Sequence, residues 1–323
     1  MGTIEVLGLK RFDPLLRDLE LPFTGTFHPM GFPLRLATNS RDVMEAAAES
    51  WDQWQPEFAV DPVEMRVLVD AEGELASVPR FRMQGHLIHM VGDSYNFAAA
   101  DSETLFASIC VSEKTAADHS WLRWFFMENT AYLLLCQRYL TAIHAACVAR
   151  NDTGIMLCGG SNAGKSTLAF ACARAGFTYV ADDCTYLLIG STDRIALGRP
   201  HQIRFRDDAV RHFPEIEGWS KRARPNGKIS IEVPTRAFPN IHTATRHPIG
   251  RIVFINRGSE GHARLEPMPH GDALALLLRD MPSYGEEVNA LYEKTVETLL
   301  EVPAFRMHYR SLDDAIRLLS EIT

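Results

Sequence analysis

An apolar stretch, Ile155 to Cys158, runs straight into GGSNAGKST at 159–167 and then into the helix-forming run KSTLAFACARA. It matches Gly-x-x-x-x-Gly-Lys-[Ser/Thr] through Gly159, Gly164, Lys165 and Ser166. At average Gly, Lys and Ser/Thr usage such a match arises by accident in about one chain in a hundred of this length. Glycines let backbone N–H groups turn inward onto phosphate oxygens, and a helix starting directly after the loop adds the positive end of its dipole. The candidate nucleotide-binding residues are therefore Gly159, Gly160, Ser161, Asn162, Ala163, Gly164, Lys165, Ser166 and Thr167. Lys165 is placed to neutralise the β- and γ-phosphates, and the Ser166 hydroxyl to enter a Mg²⁺ shell. The plainer alternative is a Gly-rich turn that binds nothing. A nucleophile elbow is excluded, because Ala163 stands where that motif needs Gly after Ser161.

At 323 residues the chain exceeds a usual domain of about 100 to 200 residues, so two are expected. We read 1–114 as an amino-terminal α/β domain of unassigned role and 115–323 as the P-loop nucleotide-binding domain. Hydrophobic residues at 46% and charged residues at 23% exclude a disordered, collagenous or disulfide-scaffold chain. Lys+Arg 33 against Asp+Glu 41 gives a net charge of −8, a field that repels a phosphodiester backbone, so no nucleic-acid partner is expected. The most apolar run, Trp121 to Leu135, is broken by Arg123, Glu128 and Asn129, so no membrane span is expected either. The start MGTIEVLGLK has no export or lipidation pattern. Cys110, Cys136, Cys147, Cys158, Cys172 and Cys184 never form Cys-x-x-Cys, which suits buried thiols in a reducing cytoplasm.

NSRDVMEAAAESWDQW predicts a helix that Ser40 could cap, and VEMRVLVD alternates Val63, Met65, Val67 and Val69 as a strand does. FRMQGHLIHMVGDSYNFAAA reads as two strands joined at Gly92-Asp93 in a small antiparallel sheet. DHSWLRWFFMENTAYLLLCQRYL predicts one buried helix near the domain junction. AIHAACVA and GIMLC are strands flanking the turn Asn151 to Gly154. FTYVADDCTYLLIG gives two short strands around an acidic pair, RIALG and RIVFINR further strands, and SKRARPNGK a basic loop. HGDALALLLRDM, YGEEVNALYEKTVETLL and SLDDAIRLLSEI have helical apolar spacing, the last capped by Ser311 with Asp314 at the capping-box position.

Phosphoryl transfer needs a carboxylate to help hold a metal or take the acceptor's proton, and Asp182-Asp183 ends the apolar run TYVA after the loop's helix. Repulsion between the two acids should raise the pKa of one of them, and a metal with Lys165 would compensate. A solvated turn is the other reading of the pair. Asp183 lies eighteen residues after Lys165, and His144 twenty-one before it. By itself, His144 reads as a hydrogen-bonded core histidine.

His144 in AIHAACV, the loop GGSNAGKS and RAGFTYVADDCTYL together resemble the HPr serine kinase/phosphorylase family, whose catalytic domain is related to phosphoenolpyruvate carboxykinase. The resemblance covers about residues 140 to 190. It implies an α/β P-loop kinase domain of the HPr kinase/phosphoenolpyruvate carboxykinase type behind a smaller α/β domain. It further implies Asp183 as catalytic base, His144 as its orienting partner, Lys165 on the phosphates, Ser166 and Asp182 at Mg²⁺, and ATP as phosphate donor.

Downstream the match departs. LGRPHQIRFRDD replaces the family's Glu-Ile-Arg-Gly-Leu-Gly stretch, leaving Asp207 or Asp208 as a substitute metal ligand. TATRHPIGR loosely resembles the family's Arg-Pro-Gly-Arg segment, which makes Arg246 and Arg251 candidates for a phosphate contact, with solvated surface arginines as the alternative. Lys221, Arg222, Arg224 and Lys228 could form a loop that meets an acidic substrate, or a solvated one. The expected function is transfer of the ATP γ-phosphate to a hydroxyl, a serine of a protein or precursor peptide. The alternatives are kinase action on a small metabolite and a nucleotide-binding regulatory or assembly protein with little turnover. A carboxykinase is disfavoured, because no second basic phosphate motif or histidine cluster accompanies the loop. Family members assemble into oligomers, so the resemblance also allows a homo-oligomer.

Overall fold

Period-two alternation in VEMRVLVD buries Val63, Met65 and Val67 along one strand of the computed structural model, which describes residues 20–219, 221–223, 229–258, 261–281 and 284–323. The chain divides into two compact units, 1–137 and 138–323. In the first, β1 (Phe23–Phe27), β2 (Leu34–Thr38), β3 (Val63–Asp70), β4 (Arg80–Gln84), β5 (Leu87–Val91), β6 (Phe97–Asp101) and β7 (Phe106–Ser112) form one sheet ordered β1-β2-β3-β7-β6-β5-β4. β3 runs parallel to β2 and β7, so the small antiparallel sheet expected from sequence is one side of a larger mixed sheet. Parallel neighbours need a crossover, and α1 (Arg41–Trp51) lies between β2 and β3 in the chain. Ser40 is the N-cap residue of α1 but makes no side-chain cap; its N–H donates to Thr38 Oγ1 at 3.2 Å. The turn at Gly92-Asp93 is held by the Asp93 carboxylate, which accepts from the Tyr95 and Asn96 N–H groups at 2.9 and 3.0 Å.

The single helix expected after Asp118 is several short pieces. α2 (Glu113–Ala117) and α3 (His119–Trp121) are capped by Ser112 and Asp118, and a π-helical turn, Leu122–Glu128, leads into α4 (Asn129–Arg138). The turn is tied to α1. Arg123 donates to Glu49 at 2.8 Å and to the Ser50 hydroxyl at 2.9 Å, while Ser50 donates to Glu128 at 3.0 Å. These bonds hold the turn to α1 inside the first compact unit, which runs to 137.

The second unit contains β8 (Leu140–Ile143), β9 (Ala145–Arg150), β10 (Thr153–Cys158), α5 (Lys165–Arg174), β11 (Thr178–Ala181), β12 (Thr185–Leu188), β13 (Ile195–Leu197), β14 (Gln202–Arg206), β15 (Lys221–Ala223), β16 (Ile229–Pro234), β17 (Arg246–Arg257), β18 (Arg264–Pro267), α6 (His270–Arg279), α7 (Glu286–Leu299), β19 (Ala304–Tyr309) and α8 (Leu312–Ser320). The main sheet is ordered β11-β9-β10-β17-β13-β12-β8, with β19 parallel to β17 and antiparallel to β18. β14-β16-β15 form a separate small sheet. The strand expected through AIHAACVA breaks at His144, because β8 pairs with β12 whereas β9 pairs with β10 and β11.

Alternation sorts the main sheet's side chains into two layers. Val148, Ile155, Leu157, Val253 and Ile255 pack with Leu168 and Phe170 of α5, Leu318 of α8, and Phe205 and Val233 of the small sheet. On the opposite face Cys147, Met156, Cys158, Ile252 and Phe254 pack with Leu277 of α6 and Val296 of α7. Phe170 meets Phe205 and Phe213 edge-on at 4.8 and 4.7 Å, each contact contributing about 0.5–1.5 kcal/mol beyond its buried area. α8 is capped as expected, the Ser311 hydroxyl accepting from the Asp314 N–H at 3.1 Å.

Gly198 is sterically required. A Cβ there would overlap the Val180 backbone carbonyl, and the Gly198 N–H already donates to Thr245 O at 2.9 Å. Gly198→Ala is expected to cost about 1–3 kcal/mol, as overpacking does. The readout is a lower urea midpoint at unchanged slope.

All six cysteines are free thiols, and burial pushes Cys147, Cys158 and Cys172 up to about 12. Among the described residues no helix is long and apolar enough to cross a membrane. Of the basic loop, Lys221 pairs with Asp207 at 2.5 Å, whereas Arg224 and Lys228 lie outside the described residues, as does the amino-terminal MGTIEVLGLK.

Candidate functional site

β10 and β17 are parallel with Cys158 opposite Phe254, so the loop after β10 leaves from the carboxyl edge of the sheet, where α/β folds place ligands. Gly164, the N-cap residue of α5, adopts φ +95°, a conformation that costs glycine little. Beyond it the first turn of α5 leaves its N–H groups without intrahelical partners. Ser161 through Thr167 line a cavity of about 310 Å³ together with His144, Asp182 and Asp183. Gly159 and Gly160 face a second cavity of about 250 Å³, which His144 also lines.

Lys165 is 6% exposed, and burial lowers the pKa of its amine against the opposing pull of Asp183. A buried ammonium needs acceptors. Nζ donates to Gly159 O at 2.7 Å and Gly160 O at 3.1 Å, and lies 3.1 Å from His144 Nε2. An Nε2 that accepts from an ammonium leaves the imidazole proton on Nδ1, which lies 2.9 Å from the Asp183 backbone carbonyl. His144 Nδ1 is 3.7 Å from Asp183 Oδ1. The expected orienting contact between histidine and carboxylate is thus made mainly to the main chain, and the half-exposed carboxylate remains available to the cavity.

The Ser166 hydroxyl donates to Asp182 O at 3.3 Å, which seats the α5 terminus over the acidic pair. Asp182 is buried, and its Oδ2 accepts from the Arg204 N–H at 3.1 Å. Burial, and then the charge of Asp183, raise its carboxyl to about 6. Ser166, Asp182, Asp183 and Asp208 all offer oxygen to the same cavity, the donor chemistry that Mg²⁺ takes, and a cation there would offset the cost of ionising Asp182.

That cost has a pH signature. A carboxyl whose pKa is raised by folding contributes stability that is complete below its unfolded pKa of about 3.8 and lost as pH rises through about 6. Asp182→Asn keeps an acceptor for Arg204 N–H and carries no charge. In the absence of Mg²⁺ and nucleotide it is expected to be more stable than the wild type at pH 8 by about 1–3 kcal/mol. The difference should vanish near pH 4, which parallel denaturant titrations at the two pH values would show.

Arg206 and Arg257, which sequence reading did not single out, also line the first cavity, and neither has an acidic partner among the described residues. Arg246 and Arg251 do not line it. Arg246 starts β17, at the end away from the loop, and Arg251 lies in mid-strand opposite Ile155, where it donates to Gly250 O at 2.7 Å. The usable signal was the carboxyl end of RIVFINR, once that strand is known to be parallel to β10. Of the two acids offered as a substitute metal ligand, Asp208 lines the cavity while pairing with Arg211 at 3.2 Å, and Asp207 pairs with Lys221.

No family model matches the chain, and no curated protein does. Among solved structures it is similar to the HPr(Ser) kinase/phosphatase from Coxiella burnetii, with 13% identity over 56% of this chain and 88% of that one, at a TM-score of 0.30.

Proposed function

We propose that the protein is an ATP-dependent phosphotransferase that moves the γ-phosphoryl group to a hydroxyl, that of a serine in a peptide or protein. The observation that supports this most directly is the convergence of Lys165, Ser166, Asp182, Asp183, Arg206 and Arg257 on one cavity at the end of a strand–loop–helix unit. The N–H groups of the loop and of the α5 terminus receive the phosphates, with Lys165 at their β/γ end. Arg206 and Arg257 balance phosphate charge from the facing wall. Ser166 and Asp182 would hold Mg²⁺, which supplies charge neutralisation to the phosphates when bound.

The Asp183 carboxylate takes the proton of the acceptor hydroxyl. The acceptor oxygen bonds to the γ-phosphorus as the bond from that phosphorus to the bridging oxygen breaks, and ADP leaves with its electron pair. His144 holds the Asp183 main chain through Nδ1 and meets Lys165 through Nε2, so it positions both groups. The test is calorimetric titration with Mg·ATP, followed by mass spectrometry of serine peptides incubated with protein and Mg·ATP. Saturable binding and a phosphate gain on serine support the reading; absence of Mg·ATP binding rejects it.

A further inference from the structure

Lys165 Nζ marks the place where the two cavities adjoin. Its side chain lines the first, yet its three nearest acceptors, Gly159 O, Gly160 O and His144 Nε2, belong to residues that line the second. In loops of this pattern the lysine reaches the β- and γ-phosphates, so the transferable phosphoryl group belongs at this junction. In-line displacement brings the acceptor from the side opposite the leaving group. With the nucleotide occupying the first cavity, the second is the concave space beside that junction.

We propose that the second cavity is the acceptor subsite, taking a short hydroxyl-bearing side chain against Phe254 and Leu277 and an acidic neighbouring residue at Arg306. This rests on the phosphotransfer reading above. Phe254 and Leu277 are buried and form an apolar wall. His144 lines both cavities and bonds the backbone carbonyl of Asp183, the proposed base, so the base belongs at the junction where the acceptor hydroxyl would react.

The polar lining is uneven. Arg279 is paired with Asp280 at 3.0 Å, so that cation is already balanced. Arg306 is exposed on β19, opposite Phe254 on one side and Glu266 on the other. Glu266 is held by Arg264 at 2.7 Å and His308 at 3.1 Å, and Arg306 has no acidic partner among the described residues. An uncompensated guanidinium beside a pocket selects for carboxylate and against a second cation. The acceptor class is thus a serine peptide with acidic residues flanking the serine.

The experiment uses the full chain, Mg·ATP and three degenerate serine-centred peptide libraries flanked by acidic, neutral or basic residues. Phosphate gain is read by mass spectrometry and Mg·ATP affinity by calorimetry. Wild type is expected to favour the acidic over the basic library by about ten-fold or more, a difference of about 1.4 kcal/mol. Arg306→Glu should reverse that order with Mg·ATP affinity changed by less than about two-fold. Leu276→Trp, on the lining of the same cavity, should raise the acceptor KM and leave Mg·ATP affinity alone. The same library order in wild type and Arg306→Glu overturns the proposal, as does a loss of Mg·ATP affinity in either variant, which would make the cavity part of the nucleotide site. Phosphate gain that ignores the flanking charge overturns the subsite alone, whereas no phosphate gain in any library, or failure of wild type to bind Mg·ATP, removes the reading beneath it.

Discussion

Asp183→Asn is expected to bind Mg·ATP within about three-fold of the wild-type affinity and to transfer phosphate about 10²–10⁴-fold more slowly, the usual range for loss of a general base. The geometry separates binding from turnover. His144 is held by the Asp183 backbone carbonyl at 2.9 Å, so changing the carboxylate to an amide leaves the main-chain contact and the link through Nε2 to Lys165 in place. The substitution also removes the charge that, after burial, raises the pKa of Asp182. The folded protein should therefore not lose stability, and a fall in turnover cannot be assigned to unfolding. Single-turnover phosphate transfer with a reactive serine peptide, beside a Mg·ATP titration, gives both numbers. A loss of turnover smaller than about ten-fold would remove Asp183 from the role of base.

Lys165→Ala is expected to weaken Mg·ATP binding by more than about 10²-fold, a loss of roughly 2.7 kcal/mol or more, and to take transfer below detection. The ammonium is buried with a lowered pKa and held by two loop carbonyls, so part of its desolvation precedes the arrival of a nucleotide. Alanine leaves Gly159 O, Gly160 O and His144 Nε2 without that donor. Lys165→Met, which keeps the aliphatic stem, should show the same loss of affinity. If methionine restored binding, the lysine would be serving packing rather than charge. Calorimetry at two salt concentrations checks this, since an interaction between buried charges is screened weakly.

Short-range pattern made part of this site legible before any coordinates. GGSNAGKST after an apolar strand, and Asp182-Asp183 after TYVA, announce themselves through residue type and spacing, and the structure brings both to one cavity. Val63, Met65 and Val67 were readable for the same reason, since a strand buries alternate side chains. Failures began where a distant segment had to arrive. The helix expected after Asp118 is broken, and α1 holds its π-helical turn through Glu49 and Ser50. Arg246 and Arg251 were offered as phosphate contacts and Arg257 was not, because the direction of β17 relative to β10 is not written in local spacing. A twelve-residue strand puts its two ends far apart, and only one end meets the loop.

The sequence by itself determined the strand–loop–helix unit, the left-handed glycine before Lys165 and the acidic pair on the next strand. Those features follow from backbone conformations and side-chain spacing within a few residues of each other. Only the tertiary structure decided that His144 meets the Asp183 main chain and Lys165, that Arg206 and Arg257 complete the cavity, and that Arg306 stands beside a second one. Strand order and the packing of α6 against the sheet arise from burial of apolar faces drawn from distant parts of the chain. That driving force is non-directional, so spacing along the chain does not reveal which strand ends it brings together.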